Sequence, residues 1–145
     1  MRLFNSILLF FSVFLVATAQ ASETGIKYRQ NQMAAMGGHM GSIAALLKGE
    51  VDFIEQLPAH ARALADTAVF TESVFKEQAT SNQSTAKATI WTDWERFSEY
   101  AETLQLATVK LAQAAADEDQ RALRRAMSDV GRACKSCHDR FRERR

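Results

Sequence analysis

Residues 90–111 read IWTDWERFSEYAETLQLATVKL, and the positions Ile90, Trp94, Phe97, Ala101, Leu104, Thr108 and Leu111 form one series. Steps of four and three alternate along it without a break, which is the period of one face of an amphipathic helix. One uninterrupted helix is predicted here. Downstream, Leu123, Met127, Val130, Cys134, Cys137 and Phe141 repeat the pattern. The acids Asp117, Glu118 and Asp119 precede that stripe and suit a helix N-terminus. Upstream, Leu57, Ala61, Leu64 and Ala68 mark a shorter helix that tolerates Pro58 only in its first turn. Before it, Met33, Met36, Met40, Ile43 and Leu47 mark another, ending at Lys48-Gly49. The polar run Thr80-Ser81-Asn82-Gln83-Ser84-Thr85 lies inside residues 71–88, the one long crossing loop. Four stripes with short first and last connections predict an all-α fold, an antiparallel up-down four-helix bundle in a single domain.

The N-terminus has a different character. Arg2 is followed by an apolar run from Ile7 to Val16 and by small residues at Ala17, Ala19 and Ala21. That order reads as a secretory signal peptide over residues 1–21, cleaved after Ala21 with Ala19 as the second choice. The run is too short for a membrane span. The domain is then residues 22–145, exported to the periplasm and not membrane-bound once the signal is removed. With Arg2 gone, basic and acidic side chains balance at 17 each. Such a balance excludes a polycationic nucleic-acid binder and an acidic disordered tail.

The only two cysteines lie in Cys134-Lys135-Ser136-Cys137-His138. A disulfide between them closes almost no chain and has poor geometry on a continuous helix. A thiol redox motif calls for a cysteine at a helix N-terminus after a strand. Structural zinc calls for four ligands, and His39 and His60 fall on separate predicted helices. The remaining reading is c-type haem attachment. Cysteines at i and i+3 with histidine at i+4 line one side of a helix, where two thioethers and an iron ligand can serve one porphyrin. No acid/base pair, partnered nucleophile or phosphate loop appears, so the chain does not read as an enzyme.

The sequence resembles the class II c-type cytochromes, the cytochrome c′ family. The likeness runs through Lys27-Tyr28-Arg29-Gln30, His39-Met40-Gly41, Lys48-Gly49-Glu50 and Ile90-Trp91, and from Val130 through the cysteine motif to Arg142. The resemblance implies a periplasmic, often dimeric, left-handed bundle enclosing one covalent haem c. It implies thioether bonds at Cys134 and Cys137 and His138 as the proximal iron ligand. It assigns haem contacts to Arg29 and Gln30, an approach to the propionates to Thr85, and a basic place beside the proximal imidazole to Arg142.

The resemblance also puts Met33 at the distal position. A thioether there gives a His/Met pair suited to electron transfer. Alternatively, Met33 is packing, and an apolar wall of Met33, Met36 and Phe97 keeps the site dry. The expected function is therefore single-electron transfer with a redox partner protein, with NO or CO binding at five-coordinate iron as the alternative. A non-haem helical module with a disulfide or metal at Cys134 and Cys137 stands third. His39 and His60 are expected to be solvated, and Trp91 and Trp94 to pack between helices or at the haem edge. Residues 121–145 carry nine Arg or Lys against three Asp or Glu, a solvated end with a modest docking role for an acidic partner. The small residues Ala34, Ala35, Gly37, Gly38, Gly41, Ala44 and Ala45 permit the homodimer that the family builds from its first two helices.

Overall fold

The computed structural model describes the backbone of residues 5–144 and the side chains of residues 23–144. The expected leader, residues 1–21, lies outside the fully described part. Helix α1 (Asn5–Lys48) leads through a 3₁₀ turn (Ile54–Gln56) into α2 (Leu57–Ala68). A second 3₁₀ turn (Ser73–Phe75) opens the crossing loop, which ends at the four-residue α3 (Thr89–Thr92). Helices α4 (Trp94–Ala116) and α5 (Gln120–Phe141) complete the chain. Helix α1 packs on α2, α2 on α4 and α4 on α5, so sequence neighbours are spatial neighbours in an up-down bundle.

The ends of the helices follow from local chemistry. Gly49 takes φ +68°, and its N–H donates to Leu46 while the N–H of Glu50 donates to Ala45. This pair of bonds is a Schellman cap, and it satisfies two carbonyls that the end of α1 leaves open. Pro58 sits in the first turn of α2, where its missing N–H costs nothing. Asp119 caps α5, its carboxylate accepting from the N–H groups of Arg121 and Ala122 at 2.9 Å each. Those two bonds hold the Asp119 carboxyl below the usual carboxylate range, the Ala122 bond foremost.

One expectation is overturned. Residues 90–111 do not form a single helix, because Asp93 leaves the helical region (φ −131°, ψ 50°) and separates α3 from α4. Its carboxylate instead accepts from Arg140 of α5 at 2.7 Å. The backbone bonds Asp93 N–H to Thr89 and Phe97 N–H to Asp93 persist across the break. Ile90 and Phe97 therefore both stay buried, and the inward period hides the break.

The core has two parts. The larger fills the bundle around Ile43, Leu64, Leu111, Leu123 and Val130, with Met36 and Leu46 of α1. The smaller is aromatic and lies at the end where α5 finishes, around Phe75, Ile90, Phe97 and Phe141. Phe97 touches Phe75 (centroids 5.1 Å apart) and meets Phe141 edge to face at 5.4 Å. Met33 packs against both parts. No described helix is long and apolar enough to cross a membrane.

Candidate functional site

A cavity of about 520 Å³ opens beside the aromatic cluster. Helix α1 contributes Ile26, Arg29, Gln30, Met33, Ala34 and Gly37 to its wall. The crossing loop gives Phe75 and the segment Gln83 to Ala86, and α3 and α4 give Ile90 and Phe97. His138, Phe141 and Arg142 close it from α5 and the tail. Five of the residues singled out from sequence (Arg29, Gln30, Met33, Thr85 and His138) thus meet at one cavity although 109 positions separate the first from the last. Met36 does not join them; one turn further along α1, it is buried in the main core. The apolar wall is instead Met33, Phe97, Phe75, Ile90 and Ile26.

Arg29 is the most constrained polar group. It is 4% exposed, and its Nη2 donates to the carbonyl of Ala79. The guanidinium lies 5.0 Å from the Phe75 ring centroid and 5.5 Å from that of Trp91. Trp91 is fixed in turn by its indole N–H, which donates to the Phe75 carbonyl at 2.7 Å. Burial pulls the Arg29 pKa down, and Glu77 works against that shift. Its Nη1 is buried without a hydrogen-bond partner from the protein. A buried cationic donor left open is costly, so this atom calls for an anion at the cavity edge.

The loop that carries Thr85 is held by the chain's end. The Thr85 carbonyl accepts from Glu143 at 2.8 Å, and the N–H of Lys87 donates to Phe141 at 2.9 Å. Ala86 and Arg142 form the isolated antiparallel bridge between them. Gln30 reaches the same loop, its amide donating to the Gln83 carbonyl at 2.9 Å. The tail after α5 therefore places both Thr85 and Arg142 on the cavity, although no sequence motif announces the contact.

On α5, Cys134 and Cys137 are both free thiols and half-buried, Cys134 against the main core and Cys137 against the aromatic cluster. Burial pushes both thiols up, Cys137 to about 11 with a further push from Cys134. These are not activated redox thiols. Among the described residues no group of three His, Cys, Asp or Glu side chains is placed to hold a metal ion, which leaves structural zinc without a ligand set. His138 lines the cavity one residue beyond Cys137. Partial desolvation lowers its pKa, Arg142 lowers it further and Asp139 opposes them. These influences favour the neutral imidazole, the form a metal ligand requires, although the residue itself is exposed.

Two placements differ from expectation. His39 and His60 are not solvated independently; they are half-buried and face each other across α1 and α2, with Nδ1 atoms 3.0 Å apart. Phe75 and Phe141, which no motif singled out as site residues, form much of the cavity's aromatic wall. Phe141 sits at the end of a legible helix stripe, but Phe75 lies in the crossing loop, where no periodic signal exists. Trp91 and Trp94 both pack on the aromatic cluster, in keeping with a packing role.

A largely apolar cavity, two unbonded thiols on one helix, an imidazole one residue beyond them on the cavity wall and a buried cation lacking an anion together define a covalent haem protein of the helical-bundle class. The family profile described as "Cytochrome C'" matches residues 24–142, and the chain belongs to that family, the class II c-type cytochromes. It is 36% identical over 127 residues to cytochrome c' of Halomonas halodenitrificans, covering 83% of this chain and 96% of that protein. It is 30% identical over 119 residues to cytochrome c-556 of Agrobacterium tumefaciens, covering 81% of this chain and 95% of the other. Among solved structures, it is similar to a nitric oxide complex of a cytochrome c prime variant from Alcaligenes xylosoxidans. There the TM-score is 0.78 at 30% identity, over 86% of this chain and 97% of that one. A further likeness is to cytochrome c' from Rubrivivax gelatinosus, with a TM-score of 0.76 at 26% identity, over 82% and 94%. Family membership implies covalently attached haem c. The open Arg29 Nη1 on the cavity wall suits a propionate. Cys134 and Cys137 do not themselves line the cavity, but they are unbonded thiols on the helix that carries His138 to it, as thioether attachment requires.

Proposed function

We propose that this protein is a periplasmic haem carrier that binds nitric oxide or carbon monoxide at an open iron position. In this reading Cys134 and Cys137 hold one haem c and His138 is its proximal ligand. Haem bound there supplies an iron centre that takes up small diatomic ligands and changes oxidation state by one electron. The chain's own residues do the rest. Arg29 supplies the anchoring cation through Nη1, and Gln30 and Thr85 line the same polar rim. Arg142 adds positive charge beside His138 and disfavours its protonation.

Met33 carries the choice between the two functions. It packs against both core clusters, so its side chain serves as a filler on the cavity wall. With Phe97 and Ile90 it makes that wall apolar, an environment that suits small uncharged diatomic ligands. The nitric oxide complexes solved for cytochrome c prime of Alcaligenes xylosoxidans support the same reading. The second reading, single-electron transfer to a redox partner with Met33 as iron ligand, is favoured by one observation: Met33 and His138 line the same cavity. The cationic end of α5 would then meet an acidic partner, and the small residues of α1 would serve a homodimer.

Met33→Ala separates the two. Under the gas-binding reading, the variant keeps the spin state of the ferrous protein and binds CO more tightly. If Met33 ligates, the variant loses a low-spin spectrum and gains CO binding that the parent lacks.

A further inference from the structure

His39 of α1 and His60 of α2 lie outside the cavity wall and have no part in the function proposed above. Their Nδ1 atoms are 3.0 Å apart, and their rings meet tip to tip, with centroids 5.3 Å apart and planes tilted by 56°. Two neutral imidazoles in this arrangement share a single proton: one Nδ1–H donates and the other Nδ1 accepts. The separation also suits two nitrogen ligands side by side on one metal ion, each with a bond of about 2.0–2.1 Å. Buried Ile43 and Leu46 on α1, and Ala61 and Leu64 on α2, fix the two backbones on either side. The Nδ1 atoms now point at each other, so both rings must turn about their side-chain torsions for the lone pairs to converge on one ion.

We propose that His39 and His60 form a two-imidazole site for a divalent late transition-metal ion, Cu²⁺ ahead of Zn²⁺, that clips α1 to α2. The donor set decides the class. Imidazole suits copper, nickel and zinc, whereas Mg²⁺ and Ca²⁺ need oxygen ligands. Among the described residues no third His, Cys, Asp or Glu joins the pair, so water completes the coordination and the site exchanges its ion freely. On binding, the donor ring moves its proton from Nδ1 to Nε2, and the two Nδ1–metal bonds replace one N–H···N bond. No proton leaves a neutral pair; one leaves each ring that was cationic, so acid competes with the metal.

The test uses the haem-loaded protein titrated with Cu²⁺, followed by calorimetry and by electron paramagnetic resonance. The account expects one equivalent bound, with hyperfine splitting from two nitrogens, and affinity that falls in acid because protons compete for the same ring nitrogens. His39→Asn and His60→Asn each retain an amide able to replace the shared hydrogen bond, and each loses at least tenfold in affinity. Zn²⁺ raises the thermal midpoint of the parent but of neither variant. As a check that needs no variant, bound Zn²⁺ protects both histidines from acylation by diethyl pyrocarbonate, read by mass spectrometry. The proposal is overturned if the parent binds no Cu²⁺, if both variants bind as the parent does, or if Zn²⁺ leaves the two rings equally reactive.

Discussion

Replacing Arg29 by methionine tests the anchoring role of the buried cation on the cavity wall. The substitution removes the bond to the Ala79 carbonyl, about 1.5–3 kcal/mol for a charged donor. It also removes stacking on Phe75 and Trp91, about 2 kcal/mol where water is excluded. Against these losses stands the relief of burying a guanidinium that is 4% exposed with Nη1 unpaired, which costs several kcal/mol. Without an anion at Nη1 the terms nearly cancel, and a methionine of similar reach packs well. With a carboxylate on Nη1, the variant strands that carboxylate in a poorly solvated place, at a cost of about 3 kcal/mol. The prediction is therefore a contrast. Arg29→Met destabilises the haem-loaded protein by about 3 kcal/mol at pH 7 and the haem-free Cys134→Ser/Cys137→Ser protein by less than about 1 kcal/mol. Urea unfolding followed by far-ultraviolet circular dichroism measures both. A carboxylate beside a cation has its folded pKa depressed, so the extra cost in the haem-loaded form is present above the unfolded pKa. It fades as pH falls through the folded value. Equal losses in the two forms would refute the anchoring argument and leave Arg29 as a stacking and loop-holding residue.

Three further outcomes follow from single residues. Asp119→Ala removes two cap bonds and lowers the thermal midpoint by a few degrees at pH 7. Because the folded pKa of Asp119 is depressed, its contribution is complete above the unfolded pKa of about 3.9 and vanishes below the folded value, so parent and variant melting curves converge in acid. Gly49→Ala costs about 1–2 kcal/mol in urea unfolding. No atom lies within 4 Å of the added methyl, so the whole loss comes from the positive φ, and Gly49→Asn recovers part of it. In haem-free protein, Cys137 reacts with iodoacetamide at pH 8 far more slowly than a free cysteine, because burial lifts its thiol to about 11; comparable rates would contradict that environment.

The bundle was readable because each of its signals is local. Gly49, Pro58 and Asp119 each mark a helix end by backbone chemistry, and each sits at a helix boundary in the structure. The apolar period found Leu57, Ala61, Leu64 and Ala68 of α2 and Phe97, Ala101, Leu104, Thr108 and Leu111 of α4, all buried, but passed over flanking buried alanines such as Ala65 and Ala107. The same period missed the break at Asp93, since Ile90 and Phe97 remain inward on both sides of it and the partner that holds Asp93, Arg140, is 47 positions away. Family position named Arg29, Gln30, Met33, Thr85 and His138, residues far apart in sequence, and these line one cavity; the motif cysteines lie beside it on α5 rather than on its wall. What escaped depends on long-range contact. The tail that pins Thr85, the loop ring of Phe75 and the meeting of His39 with His60 all join residues far apart in sequence. Met36 failed for a related reason: it shares Met33's stripe, but the helix turns it into the main core.

The central claim is an apolar, ligand-accessible face opposite a His138-ligated haem c. The most direct test is the visible absorption spectrum of the matured protein reduced with dithionite, before and after addition of CO. The account predicts a broad, unsplit reduced Soret and visible band that shifts and sharpens on CO binding. Sharp, split reduced bands unaffected by CO would contradict it, making Met33 the sixth ligand and electron transfer the function.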